Sequence, residues 1–176
     1  MVEEPTAEPR FAADCMLGTL AKWLRVAGLD CDYAGGMTDD GLAEVARGGR
    51  TLLTRDRALA ARCGDRGLYV ESDDLELQLL QVMAAMPGLV EGSEPLSRCL
   101  VCNVEVVDAA LDEVAARVPQ GVLDRVREFW RCPRCDRVYW TGTHVADMER
   151  RLRGLVERAR AAREAGGGTA AGDGPA

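Results

Sequence analysis

The stretch Arg50-Thr-Leu-Leu-Thr-Arg-Asp56 decides the fold. Its β-branched and apolar residues make a short strand that ends in a carboxylate, and a helix-forming run, Arg57-Ala-Leu-Ala-Ala-Arg62, follows at once. That order delivers Asp56 to the C-terminal edge of a sheet. Arg10-Phe-Ala-Ala-Asp14 repeats the arrangement ahead of a helical run from Leu17. Two such strands can bring their carboxylates together at the crevice where open α/β sheets bind ligands.

The neighbouring segments fit the same alternation. Leu17, Leu20, Leu24 and Ala27 recur at helical spacing over 17–27, and Gly28 stops the helix. A second strand is expected over 30–33. Thr38-Asp39-Asp40 opens a helix over 42–47 that Gly48-Gly49 ends. After the 50–54 strand and the 56–63 helix come a fourth strand over 67–70 and a helix opened by Ser72-Asp73-Asp74. Leu75, Leu79, Val82 and Met86 mark that helix, and Pro87-Gly88 closes it. Four β-α units over 10–90 predict an α/β fold: a parallel sheet with helices on both faces. Residues 88–97 read as a linker. A cysteine-rich module is expected over 97–145, with a strand at 104–107, a helical piece at 123–128 and a strand at 138–140. Val145, Met148, Leu152, Leu155, Val156 and Ala159 predict a C-terminal helix over 146–165. The leader (1–9) and the Gly-rich tail (166–176) have the composition of disordered segments.

The 176 residues are 47% hydrophobic and 29% charged, the composition of a globular protein. No apolar run approaches the roughly 20 residues needed to span a bilayer, and the acidic, Pro-containing start is unlike a signal peptide, so a cytoplasmic location is expected. The net charge of −7 is unevenly distributed. Residues 1–96 hold 17 acidic and 9 basic side chains, and residues 97–176 hold 12 and 13. An acidic domain can hold a phosphate backbone through a divalent cation, so the total charge does not exclude a nucleic-acid partner.

Carboxylates stand at strand ends or helix starts in four places: Asp14, Asp39/Asp40, Asp56 and Asp73/Asp74. On a parallel sheet all four lie along one edge, where their repulsion is relieved by a cation, and an all-oxygen ligand set selects Mg²⁺ or Mn²⁺. Helix capping alone would explain Thr38, Asp39, Ser72 and Asp73, and it is the favoured reading for Asp39 and Asp73. Asp14 and Asp56, which end strands, favour the functional reading, and Asp40 and Asp74 stand between.

Seven cysteines are present. Cys99-Leu-Val-Cys102 and Cys132-Pro-Arg-Cys135 form two knuckles with the bite of a structural zinc site, in a module expected to be too small to build a core without metal. Cys15, Cys31 and Cys63 read as small apolar residues. His144, the sole histidine, is redundant as a fifth ligand. Arg98, Arg131, Arg134 and Arg137 lie near Trp130, Tyr139, Trp140 and His144. That mixture suits a surface for single-stranded RNA, or equally a small aromatic core ringed by solvated arginines. The Arg and Glu residues of the last helix read as a salt-bridged solvent face.

Several motifs together resemble the Mut7-C RNase domain family. They are Phe11-x-x-Asp14-x-Met-Leu-Gly-x-Leu-Ala-x-Trp-Leu-Arg25, Asp40-x-Leu, Arg50-x-Leu-Leu-Thr-Arg-Asp-Arg57, Ser72-Asp-Asp-Leu75 with Gln78, Arg98-Cys-x-x-Cys-Asn103, Phe129-x-x-Cys-x-x-Cys135 and Tyr139-Trp-x-Gly-x-His144. Lys22 stands where the family often has Arg. The resemblance implies a PIN-like nuclease fold followed by a zinc ribbon, with RNA cleavage supported by Mg²⁺ or Mn²⁺ on Asp14, Asp40, Asp56 and Asp74. It implies phosphate contacts from Lys22, Arg25 and Arg55, while the mixture of arginines and aromatics around the knuckles makes Arg131, Arg134, Trp140 and His144 the ribbon's RNA-facing candidates. PIN-like folds that bind RNA without cutting it supply the alternative, a non-catalytic RNA-binding or protein-adaptor module.

Overall fold

A computed structural model of the chain describes residues 8–86, 88–89 and 93–166. Most of the expected leader and tail, and Pro87, lie outside the described residues. The first half alternates as β1 (Arg10–Ala13), α1 (Gly18–Val26), β2 (Asp30–Tyr33), α2 (Asp39–Arg47), β3 (Thr51–Thr54), α3 (Arg57–Arg62), β4 (Gly67–Tyr69) and α4 (Leu75–Ala85). The four strands form a parallel sheet in the order β2-β1-β3-β4. Strand order therefore reverses between β1 and β3, which makes the crevice at their C-terminal ends the switch point of the sheet.

Successive strand residues point to opposite faces. Phe11, Ala13 and Leu53 enter a core with Leu20 and Leu24 of α1 and Leu79 and Val82 of α4. Ala12 and Leu52 enter a second core with Leu42 and Ala46 of α2 and Leu59 of α3. Both faces are covered, so the strands need apolar residues at every step rather than at alternate ones.

The second half carries β5 (Val107–Ala109), α5 (Leu111–Val114), α6 (Gln120–Leu123), β6 (Phe129–Arg131), β7 (Val138–Trp140) and α7 (Thr143–Gly166). β5, β6 and β7 form an antiparallel sheet in that order. The strand expected at 104–107 begins only at Val107, because Glu105 makes a lone bridge to Arg98. The helical piece expected at 123–128 ends at Leu123 instead. The module does own a core, contrary to expectation: Val114, Val118 and Phe129 are buried, with Val138 and Trp140 packed against them.

The halves are joined at several places. α7 returns to the first domain, where Leu152, Leu155 and Ala159 are buried in the same core as α1 and α4. Burying a leucine contributes roughly 1.5–3 kcal/mol, so α7 is part of the sheet domain's own packing. The segment read as a linker is also seated. The Leu96 N–H donates to Val26 O at 2.9 Å. Gly28 (φ 82°) lies so close that a Cβ there would stand 2.8 Å from the Glu94 carbonyl carbon.

Candidate functional site

The switch point is built on Asp14. Asp14 is buried, with 6% of its surface exposed. Oδ1 accepts from Met16 N at 2.9 Å, and Oδ2 accepts from Thr54 Oγ1 at 2.5 Å and from Arg55 N at 3.2 Å. Thr54 Oγ1 in turn accepts from Asp56 N at 3.0 Å. One hydrogen-bonded chain thus ties the ends of β1 and β3 together and sets Asp14 beside the Thr54-Arg55-Asp56 turn. Thr54, fully buried, was not foreseen as part of the site. Its hydroxyl two residues before a helix-capping Asp was the available signal.

The other carboxylates line the same edge with separate engagements. Asp56 Oδ1 caps α3 by accepting from Leu59 N at 2.9 Å, and Asp74 Oδ1 caps α4 by accepting from Leu77 N at 3.0 Å. Capping thus falls on Asp74 and not on Asp73, and on Thr38 and not on Asp39, because each helix starts one residue beyond the cap. Asp40 is exposed and pairs with Arg62. Buried Gln78 donates to Ser72 O at 2.9 Å and braces the 72–74 turn. Among the described residues only the four cysteines converge as three or more metal-ligating groups.

In that tetrad the ligand sulfurs of Cys99, Cys102, Cys132 and Cys135 lie within 4.8 Å of one another, which fits one tetrahedral ion such as zinc. The two knuckles are built alike. Cys99 N donates to Val104 O and Cys132 N to Arg137 O, while Asn103 N and Asp136 N donate to Cys99 O and Cys132 O. Asn103 and Asp136 take left-handed backbone (φ 65° and 59°), a conformation that Asn and Asp tolerate best among non-Gly residues. N–H groups of Cys102, Arg134 and Cys135 point at cysteine sulfurs at 3.3–3.4 Å. The Tyr139 hydroxyl accepts from Leu100 N and is hydrogen-bonded to Cys99 Sγ, both at 3.1 Å. Burial alone raises the Cys99 thiol, but this hydroxyl and the N–H groups of Cys102 and Val101 outweigh it and bring the group down to about 6. Such outer contacts orient ligands and tune a metal site.

The first knuckle is bolted to the edge strand β2. Asn103 is 7% exposed. Its side-chain oxygen accepts from Cys31 N at 3.0 Å, and its amide donates to Asp30 at 2.6 Å and to Asp32 at 2.8 Å. Arg50 pairs with the same two aspartates, at 2.6 and 3.0 Å. Burial pushes Asp30 up, but hydrogen bonds from Arg50 and Asn103, helped by the charges of Arg50 and Arg98, hold it below the usual aspartate value. Arg25 is buried, and its guanidinium donates to Cys31 O, Leu100 O and Val101 O at 2.7, 2.9 and 3.0 Å. Nε and Nη1 of Arg25 thus have a structural role, tying the knuckle to β2 through backbone carbonyls.

A family model for the Mut7-C RNAse domain matches residues 9–152. The chain belongs to the Mut7-C RNAse domain family. No curated protein and no solved structure matches it. The Mut7-C match spans both the sheet edge and the cysteine tetrad, so the two sites described above belong to one family unit. Of the remaining residues considered for RNA, Lys22 is exposed on α1, and Arg55 is half-buried with its backbone N–H on Asp14. Arg134 is exposed beside the tetrad. Arg131 pairs with Asp136 at 3.3 Å, and Trp140 packs into the ribbon core. The side chain of His144 lies outside the described residues. No helix among the described residues is long and apolar enough to cross a membrane.

Proposed function

We propose that this Mut7-C protein is a divalent-metal-dependent ribonuclease that acts at the edge of its parallel sheet, in the cytoplasm. The observation that carries the reading is the joining of Asp14 to the Thr54-Arg55-Asp56 turn at the switch point, within a family described as an RNAse domain. Asp14, Asp40, Asp56 and Asp74 would hold Mg²⁺ or Mn²⁺, since an all-oxygen donor set suits either ion. Capping engages only Oδ1 of Asp56 and Asp74, which leaves each a second oxygen for coordination. The exposed Asp40–Arg62 pair holds Asp40 weakly, because surface pairs of this kind are worth about 0–1 kcal/mol. When bound, the ion neutralises a phosphodiester and lowers the pKa of attacking water. Arg55, anchored by its N–H on Asp14, would meet the substrate backbone. The ribbon, its zinc held by the four cysteines, would present exposed Arg134 toward single-stranded RNA.

Purified protein incubated with labelled single-stranded RNA and Mn²⁺ tests this. Cleavage is expected, and Asp14→Asn or Asp56→Asn should lower it at least about 100-fold. Cleavage that survives both substitutions refutes the assignment. The second reading, an RNA-binding or adaptor module without turnover, is favoured by the four aspartates not converging as a metal-ligating group among the described residues. RNA retention with no cleavage in any divalent metal would select it.

A further inference from the structure

A groove of about 970 Å³ runs from the C-terminal end of the sheet to the first cysteine knuckle. It starts at Cys15 and Met16, the two residues after Asp14, and ends at Val101, Cys102 and Arg134. Its walls carry an unusual set of exposed apolar side chains: Met16, Tyr33, Met37 and Val101 are each more than half exposed. Lys22, Arg25 and Arg134 supply positive charge, and the one acidic wall residue, Asp32, is paired with Arg50. The groove is thus cationic and apolar in a chain whose net charge is −7.

Tyr33 is held in a fixed pose there. Its ring lies against Gly18 at the start of α1, where a Cβ would come within 3.2 Å of Cε2, and a Cβ at Gly35 would overlap the ring. Its hydroxyl donates to Cys15 O at 3.2 Å. Two glycines and one hydrogen bond therefore seat an aromatic ring whose remaining surface faces the groove. Fixed aromatic surface flanked by cations is the chemistry that receives stacked bases and their phosphates, with little side-chain entropy left to lose.

We infer that this groove is the track for single-stranded RNA, with Tyr33 as a base-stacking platform and Lys22 and Arg134 as phosphate contacts on either side of it. The inference rests on the ribonuclease reading and adds the substrate's path. Because Arg25 and Asn103 bolt the knuckle to β2, the cysteine module is a fixed wall of that track and not a tethered arm.

The test is binding of a fluorescein-labelled 12-nucleotide U-rich RNA to zinc-loaded Asp14→Asn protein, read by anisotropy at fixed salt. Tyr33→Ala should weaken binding about tenfold, the low end of what one stacked base contributes. Tyr33→Phe should stay close to the parent, and Lys22→Glu and Arg134→Glu should each weaken binding and flatten its salt dependence. Arg125→Glu, on an exposed turn outside the groove, serves as the control. A 2-aminopurine in the RNA should change emission on binding, and lose that change in Tyr33→Ala. Tyr33→Ala binding within twofold of the parent overturns the proposal. So does RNA binding that inorganic polyphosphate competes away equally in parent and Tyr33→Ala, since the groove would then hold anions only. Binding that follows these variants in a protein that never cleaves RNA supports the track while sinking the ribonuclease reading. Cleavage with wild-type affinity in Tyr33→Ala does the reverse.

Discussion

Asn103→Ala should uncouple the cysteine module from the sheet. The substitution leaves the N–H of buried Cys31 without its acceptor, which costs about 1–3 kcal/mol. It also removes amide donors from Asp30 and Asp32. Arg50 still serves both carboxylates, so that loss is smaller, about 1 kcal/mol. Alanine at φ 65° adds about 1 kcal/mol of left-handed strain. The sum, about 3–5 kcal/mol, is a large share of the 5–15 kcal/mol typical of a domain. With a urea m-value of about 2 kcal/mol/M, the midpoint of the zinc-loaded protein should fall by about 1.5–2.5 M. Asn103→Gly should recover about 1 kcal/mol, because glycine takes the left-handed conformation freely. Hydrogen exchange supplies the local readout, since the Cys31 amide should lose protection while the amides of β3 keep theirs. A midpoint shift below about 0.3 M with an unchanged Cys31 amide would refute the claim that Asn103 holds the two halves together.

Gly28→Ala and Gly49→Ala both place alanine at positive φ (82° and 95°), but only Gly28 faces backbone, while the nearest atom to Gly49 is an Arg10 side-chain nitrogen at 3.5 Å. Gly28→Ala should therefore cost at least about 2 kcal/mol more in the same titration, and equal losses would mean that the 94–96 segment is not seated. Arg50→Met should remove about 2 kcal/mol at neutral pH. Asp30 is held below its usual pKa in the folded state, so its stabilising effect is present above the aspartate range and is lost as pH falls through it. The gap between wild type and Arg50→Met should accordingly close on acidification, and a gap constant from pH 7 to pH 3 would contradict it. In thiol titration of the native zinc-loaded protein, exposed Cys15 should react first. Cys31, buried and pushed up to about 12 by desolvation, should stay silent until the chain unfolds, and early labelling of Cys31 would show that β2 is open.

Much of the first domain was legible because its signals are local. The apolar runs of Phe11-Ala-Ala13 and Leu52-Leu53, set between helical stripes such as Leu20 and Leu24, reveal element type without knowledge of neighbours. The two knuckles were legible for the same reason, and Asn103 with Asp136 repeats one motif, an Asx residue immediately after each pair of cysteines. Capping was legible only in kind. Whether Asp73 or Asp74 caps α4 depends on where the first helical turn closes, and that is set by packing of Leu75 and Leu79 and not by the residue itself.

The sequence by itself determined the β-α alternation, the cysteine tetrad and the family, and it marked Asp14 and Asp56 as strand-end carboxylates. Only the tertiary structure decided the strand order that makes β1 and β3 neighbours, because hydrogen bonds between strands join residues about forty positions apart. It also decided that Arg25 binds carbonyls of the knuckle, and that α7 returns to the sheet's core. Each of these depends on which surfaces meet, and an arginine's or a helix's free energy depends on its partner more than on its own chemistry.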